Sequence, residues 1–308
     1  MNKQSHAIET YKLTIKMNDV CLRSPLIKPH VRQQAQFFEP LLKDCQVYEV
    51  EPNIAHFALN QEPFDLDAPV SHECASPADK LFVSYDFGSG FFVEKVKDRY
   101  FLYSVLTINW MDYVKEHIDT VEGTPMTLLA TYELGEELEL CYKREDKKNT
   151  FVFAKHGEEN MTGLEDERSK KTLSNAWELV RYYLMILRVI NSPRLTVKKP
   201  AGTRQQRRSE ARGMGKAVDA WHRVSWNIDK PSAAKEPYDQ GFHKMPLHFN
   251  RGHWKRAEKH HPKSRQRPNA LRPEHRTGWW TWIDGYFAGH PAFGFKKQYH
   301  RPQITKVA

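Results

Sequence analysis

The residues best suited to chemistry in this chain gather near its C-terminus. Leu247-His248-Phe249-Asn250-Arg251-Gly252-His253-Trp254-Lys255-Arg256 places two histidines, two arginines and a tryptophan around a turn at Arg251-Gly252. A basic loop follows, carrying Lys259, His260, His261, Lys263, Arg265, Arg267, Arg272, His275 and Arg276. The aromatic run Trp279-Trp280-Thr281-Trp282-Ile283-Asp284-Gly285-Tyr286-Phe287 comes next. Cations neutralise phosphates, and flat rings stack on unpaired bases for about 1–3 kcal/mol each. Histidine offers both a stacking surface and a titratable donor. The pattern therefore suits single-stranded or structured RNA. It also suits a small β-domain whose tryptophans are its core and whose basic loops lie in solvent.

Two further chemistries can be weighed on the same residues. A metal-independent ribonuclease needs two histidines as base and acid and a cation to stabilise the phosphorane-like charge. His248, His253 and His275, with Arg251 or Arg256, supply those groups, but sequence does not show that they converge. A metal site is not expected: HExxH and HxH are absent, acidic partners are few, and an electropositive setting opposes a divalent cation. No cofactor is implied. The Gly88-Ser89-Gly90 pair lacks a third glycine at dinucleotide-loop spacing and precedes a strand, so it reads as a hairpin turn.

Charge divides the chain. Residues 1–200 hold 25 Lys and Arg against 30 Asp and Glu, a net of −5; residues 201–308 hold 22 against 8, a net of +14. The overall +9 is therefore the property of one C-terminal third, which also carries six of the eight tryptophans. Such a positive module calls for a polyanionic partner. Pro200-Ala201-Gly202 marks the sign change. Thr203 can cap a short helix there, with Arg204, Arg207, Arg208 and Arg212 on one face, either as a phosphate clamp or as a solvated linker.

The elements that must position these groups follow from periodicity. Residues 1–60 read as mostly helical, with Val31–Cys45 as one helix that Pro40 would kink. Residues 61–79 and 144–171 read as charged loops. Leu81–Tyr85, Phe91–Val96, Arg99–Leu106, Met126–Leu134 and Glu137–Tyr142 are β-branched and aromatic runs joined by short turns, the signature of an antiparallel sheet. Thr172–Asn191 is the clearest helix, with Ser174 as its cap, Trp177, Val180, Leu184, Leu187 and Ile190 at helical spacing, and Pro193 as its stop. Trp221–Ile228, Trp279–Phe287 and His290–His300 read as strands, the last with Phe293, Phe295 and Tyr299 on one face. The expected architecture is α+β: an antiparallel sheet packed by a long helix in residues 1–199, and a basic β-rich module in 200–308. Deleting residues 200–308 would then leave the body folded. The four cysteines form no CxxC, the N-terminus has no apolar signal-like run, and the most apolar stretch is broken by Glu178, Arg181 and Arg188. A reduced, cytoplasmic protein with no membrane span is expected.

At Leu247–Trp254 and Trp282–Gly289 the chain resembles certain phage and plasmid proteins, the type V-A anti-CRISPR proteins that block production of the effector nuclease. The shared signature is Arg251-Gly252-His253-Trp254, a polar loop, and an aromatic strand. Leu81–Leu106, Trp177–Pro193 and Trp221-His222-Arg223-Val224 are similar to that family's strand pair, long helix and following strand. Where its last strand carries Pro and Asn, this chain has Asp284 and Gly289. The resemblance implies a regulator that recognises a nascent polypeptide on a translating ribosome and promotes loss of its mRNA. On that reading Arg251, His253, Trp254 and Arg256 form the functional cluster, Trp280 and Trp282 assist as stacking or supporting rings, and RNA or the ribosome is the partner. A ribonuclease and a non-enzymatic DNA-binding protein are the rival readings.

Overall fold

The structure is a computed structural model. It describes residues 5–61, 68–107, 121, 123–143, 151–155, 167–201, 204, 205, 208, 221–228, 245–268, 270 and 272–295. The first elements are α1 (His6–Arg23), α2 (Pro29–Phe38), β1 (Gln46–Val50) and α3 (Pro52–Leu59). Next come β2 (Lys80–Asp86), β3 (Ser89–Val96), β4 (Arg99–Leu106), β5 (Met126–Glu133), β6 (Glu139–Lys143), β7 (Phe151–Lys155) and α4 (Glu167–Ile190). The remainder is β8 (Thr196–Pro200), β9 (Trp221–Trp226), β10 (Pro246–Asn250), β11 (His253–Ala257), β12 (Trp279–Ile283), β13 (Tyr286–Ala288) and β14 (His290–Phe295). The α+β class expected from the sequence is the class observed.

The chain forms two compact units. Met1–Ala55, Ser76–Ala130 and Val197–Ser225 make the first; His56–Ala75, Thr131–Thr196 and Trp226–Ala308 make the second. The boundary drawn at 199/200 from charge falls inside the first unit. Charge follows solvent exposure, whereas strand pairing ignores it.

In the first unit the strand order is β5-β4-β3-β2-β1-β9-β8. Strands β2, β3 and β4 form an antiparallel meander, while β1 pairs in parallel with both β2 and β9. The β2–β3 hairpin turns through Gly88 at φ 75°, and a Cβ on Gly90 would lie 2.4 Å from the Val83 carbonyl oxygen. The Gly-x-Gly is thus a turn and a close approach of two backbones. Helix α1 is capped by the Ser5 hydroxyl and buries Ala7, Ile8, Tyr11 and Thr14 at helical spacing. With Phe38, Val47, Phe82, Phe92, Tyr103 and Trp221, the apolar members of that face close the core.

Strand β1 lies in a stretch whose sequence reads as helical. Val47 to Val50 are all buried, so neither face carries the polar alternation that marks a half-exposed strand. One of those buried residues is charged. Glu49 accepts from the Ser5 hydroxyl and is held by Arg223 directly across on β9, with Nη2 at 2.9 Å and Nε at 3.1 Å. Burying a carboxylate this deep is costly without a partner, and the Arg223 guanidinium supplies one.

In the second unit β6 and β7 form an antiparallel hairpin, although β7 lies in residues read as a loop. Helix α4 begins five residues before the expected start, so Ser174 sits inside the helix rather than at its cap. From Tyr183 to Ile190 every residue of α4 is buried. The Thr196 hydroxyl, donating to the Val189 carbonyl at 3.0 Å, closes the helix C-terminus. None of the helices is long and apolar enough to cross a membrane among the described residues.

All four cysteines are free and buried, and burial pushes their thiols up, to about 12 for Cys21, Cys45 and Cys74 and about 11 for Cys141. Thiols are the reactive species only when ionised. At pH 8 the native protein is expected to leave all four unmodified by an aromatic disulfide reagent, with four reacting in guanidinium; rapid native labelling would contradict this. Because β9 lies between β1 and β8, a chain ending at residue 199 loses an inner strand and the partner of Glu49. Such a truncation is expected to lack a cooperative thermal transition by circular dichroism, reversing the outcome anticipated from the sequence boundary.

Candidate nucleic-acid interface

The basic C-terminal residues are positioned by a pair of cross-strand ladders in the second unit. β10 pairs antiparallel with β13, matching Phe249 to Phe287 and Asn250 to Tyr286. β11 pairs antiparallel with β12, matching His253 to Ile283, Trp254 to Trp282 and Arg256 to Trp280. Three residues forward from Asn250 is His253, and three back from Tyr286 is Ile283. One register therefore runs through both pairs, interrupted only by Arg251-Gly252 on one side and Asp284-Gly285 on the other. The run read as a single strand from Trp279 to Phe287 breaks at that point.

The two glycines are what allow the crossing. A Cβ on Gly252 would lie 2.3 Å from the ring of Trp282 and 2.9 Å from the Gly285 nitrogen; one on Gly285 would lie 2.6 Å from the ring of Phe249. Each glycine lets an aromatic ring lie across the backbone. Arg188 of α4 then fixes the site. It is 2% exposed, and its Nε donates to Glu73 at 2.6 Å while Nη2 donates to the Gly285 carbonyl at 2.9 Å. Its guanidinium lies 5.1 Å from the centre of the Phe249 ring. Glu73 is itself held on α4's last turn, because the Asn191 amide bonds the Glu73 and Ala75 carbonyls at 2.8 and 2.6 Å.

Side chains alternate across β11 and β12. His253, Lys255, Thr281 and Ile283 take one face; Trp254, Arg256, Trp280 and Trp282 take the other. On the second face the rings are already stacked. Trp254 is 7% exposed and lies 5.2 Å from Trp282, and Arg267 sits 3.6 Å over its ring centre, with Arg265 at 5.0 Å. Arg267 is buried and meets His275 Nδ1 at 3.1 Å; His275 in turn stacks on Trp280 at 4.4 Å. A guanidinium can only donate, so in this contact His275 accepts at Nδ1. Trp280 also donates from Nε1 to the Thr277 carbonyl at 2.9 Å. The backbone of Arg265 exchanges two 2.9 Å hydrogen bonds with Trp280, adding a third strip to the pair.

The structure thus separates residues that the sequence grouped together. Arg251, His253 and Arg256 are exposed, as is Lys255. His253 and Arg256 nevertheless point to opposite faces. Trp254 is core, its ring covered by arginine. Trp280 is half-buried beneath His275, and Trp282 is half-buried with its Nε1 donating to Asp284 at 2.8 Å. Arg204 and Arg208 are exposed in a helical stretch. Arg207 and Arg212 lie outside the described residues, as does Tyr299.

Among the described residues, the candidates His253 and His275 are not brought together as a base–acid pair. His253 and the His275–Trp280 stack occupy opposite faces of the β11–β12 ladder. His248 Nδ1 contacts the Pro246 carbonyl at 2.9 Å, and His261 contacts the Thr281 hydroxyl at 3.2 Å. Among the described residues no group of three His, Cys, Asp or Glu side chains could hold a metal ion. What remains chemically is a rigid, exposed set of cations on a sheet stiffened by stacked rings. The sequence marks Arg188 only as a break in an apolar run and Arg267 only as one of the loop cations, and assigns neither of them, nor Glu73, a place at the site. Only the odd arginine inside an apolar helix signals the first, and nothing local signals the others.

No protein-family model matches the chain, and no curated protein matches it.

Removing one partner of a buried ion pair costs about 3–5 kcal/mol, and the half-exposed Glu73 places this pair at the low end. Arg188→Ala is therefore expected to destabilise by about 3 kcal/mol in urea denaturation, whereas Arg256→Ala stays within about 0.5 kcal/mol. Equal, small effects for both would remove Arg188 from its anchoring role.

Proposed function

We propose that the protein is an RNA-binding regulator in the manner of the anti-CRISPR proteins its Arg251–Trp254 segment resembles, lowering expression of a specific target by promoting loss of that target's mRNA. The observation that carries the RNA part is the exposure of His253, Lys255 and Arg256 on strand β11, and of Arg251 in the turn before it, within a region of net charge +14. Phosphate contacts of this kind set affinity and make it salt-dependent. A fixed sheet presents them without a large ordering cost.

The nascent-polypeptide and ribosome parts rest on the resemblance alone. The acidic character of residues 1–200 is compatible with a second, protein-directed surface. The ribonuclease reading loses its support in the opposite faces of His253 and His275. The protein would then act through a recruited nuclease rather than by cleaving RNA itself.

Each phosphate contact on single-stranded RNA contributes about 0.7 to the slope of log K against log salt. Replacing Arg251, Lys255 and Arg256 with glutamine is expected to lower that slope by about 2 while leaving the fold intact. An unchanged slope would place the RNA contact elsewhere. In cells, target mRNA is expected to fall only when its N-terminal coding region is intact. Equal mRNA with and without that region would defeat the nascent-chain reading.

A further inference from the structure

On the face that carries Trp254, Trp282 and Trp280, the continuous register places one more ring. Tyr286 stands opposite Asn250, two cross-strand steps beyond the Trp254–Trp282 pair, with the Gly252–Asp284 step between them. The aromatic stripe therefore runs from Trp280 through Trp254 and Trp282 to Tyr286. Its members differ in what covers them. Trp280 lies under His275 and Trp254 under Arg267. Trp282 is braced across Gly252 and tethered to Asp284. Tyr286 is 56% exposed, whereas the other three rings are buried or half-buried.

We infer that Tyr286 is a stacking platform for one unpaired nucleobase, with Asn250 beside it to meet the base's polar edge. This rests on the RNA reading above and deepens it. Three observations support the choice of ligand over a protein partner. Arg265 and Arg267 lie over the Trp254 ring of the same stripe and the exposed Arg256 closes its other end, so a polyanion is favoured over an apolar surface. The acids found at this face are already engaged: Asp284 accepts from the Trp282 indole, and Glu137 meets Arg265 at 3.2 Å. Asn250 is directly across the ladder, where cross-strand side chains stand about 5 Å apart, and a carboxamide presents both a donor and an acceptor to a base edge.

The backbone supports the ring rather than leaving it to flex. Phe287, next in sequence, packs on Phe249 at 5.0 Å and on Phe57 at 5.8 Å, and Phe249 receives the Arg188 guanidinium. Alternation along β13 turns Tyr286 outward because Phe287 is turned inward. A stacking ring held on a strand loses little freedom when a base arrives.

The test is binding of the full chain to a labelled twelve-nucleotide single-stranded RNA of mixed sequence, to the same RNA annealed as a duplex, and to inorganic polyphosphate. Stacking is worth about 1–3 kcal/mol per base, equivalent to about 5- to 150-fold in affinity. Tyr286→Ala and Tyr286→Leu are expected to weaken single-strand binding by that factor and leave polyphosphate binding unchanged. Tyr286→Phe is expected to retain it. Thermal melts equal to wild type confirm that the exposed position is not structural. Wild-type binding to single strands that is unaffected by either substitution would overturn the platform and leave the RNA reading standing. Absence of RNA binding by the wild-type protein would overturn both. Equal loss with leucine and phenylalanine would assign the effect to the hydroxyl and also reject stacking.

Discussion

A single buried arginine organises the second unit. Arg188 is among the largest fully enclosed side chains in the protein, on a helix turn where every neighbour is apolar. Placing a guanidinium there would be costly without partners. Its partners include a carboxylate from the turn before the sheet, a backbone carbonyl at the glycine crossing, and the face of Phe249. Those contacts tie residues 73, 188, 249 and 285 together across more than two hundred positions of sequence. The two ladders that carry the exposed cations can therefore have only one register and one orientation. A well-packed leucine at this site would not specify that crossing, since it would leave the Gly285 carbonyl without its donor.

A similar solution recurs in each unit. In the first, Glu49 is the buried charge and Arg223 is the fork that meets it, together with the Ser5 hydroxyl that also caps α1. In the basic module, Arg267 is the buried charge, with the Trp254 ring beneath it and His275 beside it. The consequence for function is a division of labour among arginines of the same region. Some are structural cations consumed by the fold. Others, such as Arg256, lie exposed at the surface. Net charge alone does not distinguish the two kinds, which is why the +14 of residues 201–308 overstates what a ligand meets.

Much of the fold was legible in the sequence. The meander β2–β4, strand β5, the hairpin at Gly88 and the apolar half of α4 all come from local signals, since β-branched and aromatic runs and a helical stripe are written in consecutive residues. The parallel strand β1 was not legible, because burial on both faces erases alternation. Nor was the domain organisation. β9 follows the charge boundary but pairs with β1, an association set by long-range packing. At the candidate site, the exposed basic residues were visible by composition, while the burial of Trp254 depends on Arg267, thirteen residues away. Tyr286 is hidden by the same logic. Its exposure follows from the register across two glycines, which no window of sequence reveals.

On the proposed function, RNA meets this protein at the exposed edge of the β10–β13 and β11–β12 ladders. Ultraviolet crosslinking of the full chain to single-stranded RNA, with the adducts located by peptide mass spectrometry, tests it most directly. Adducts concentrated between residues 245 and 290, with Tyr286 or Trp282 among them and Trp254 absent, are the predicted result. Adducts confined to residues 5–107, or adducts on Trp254 in the native protein, would contradict it.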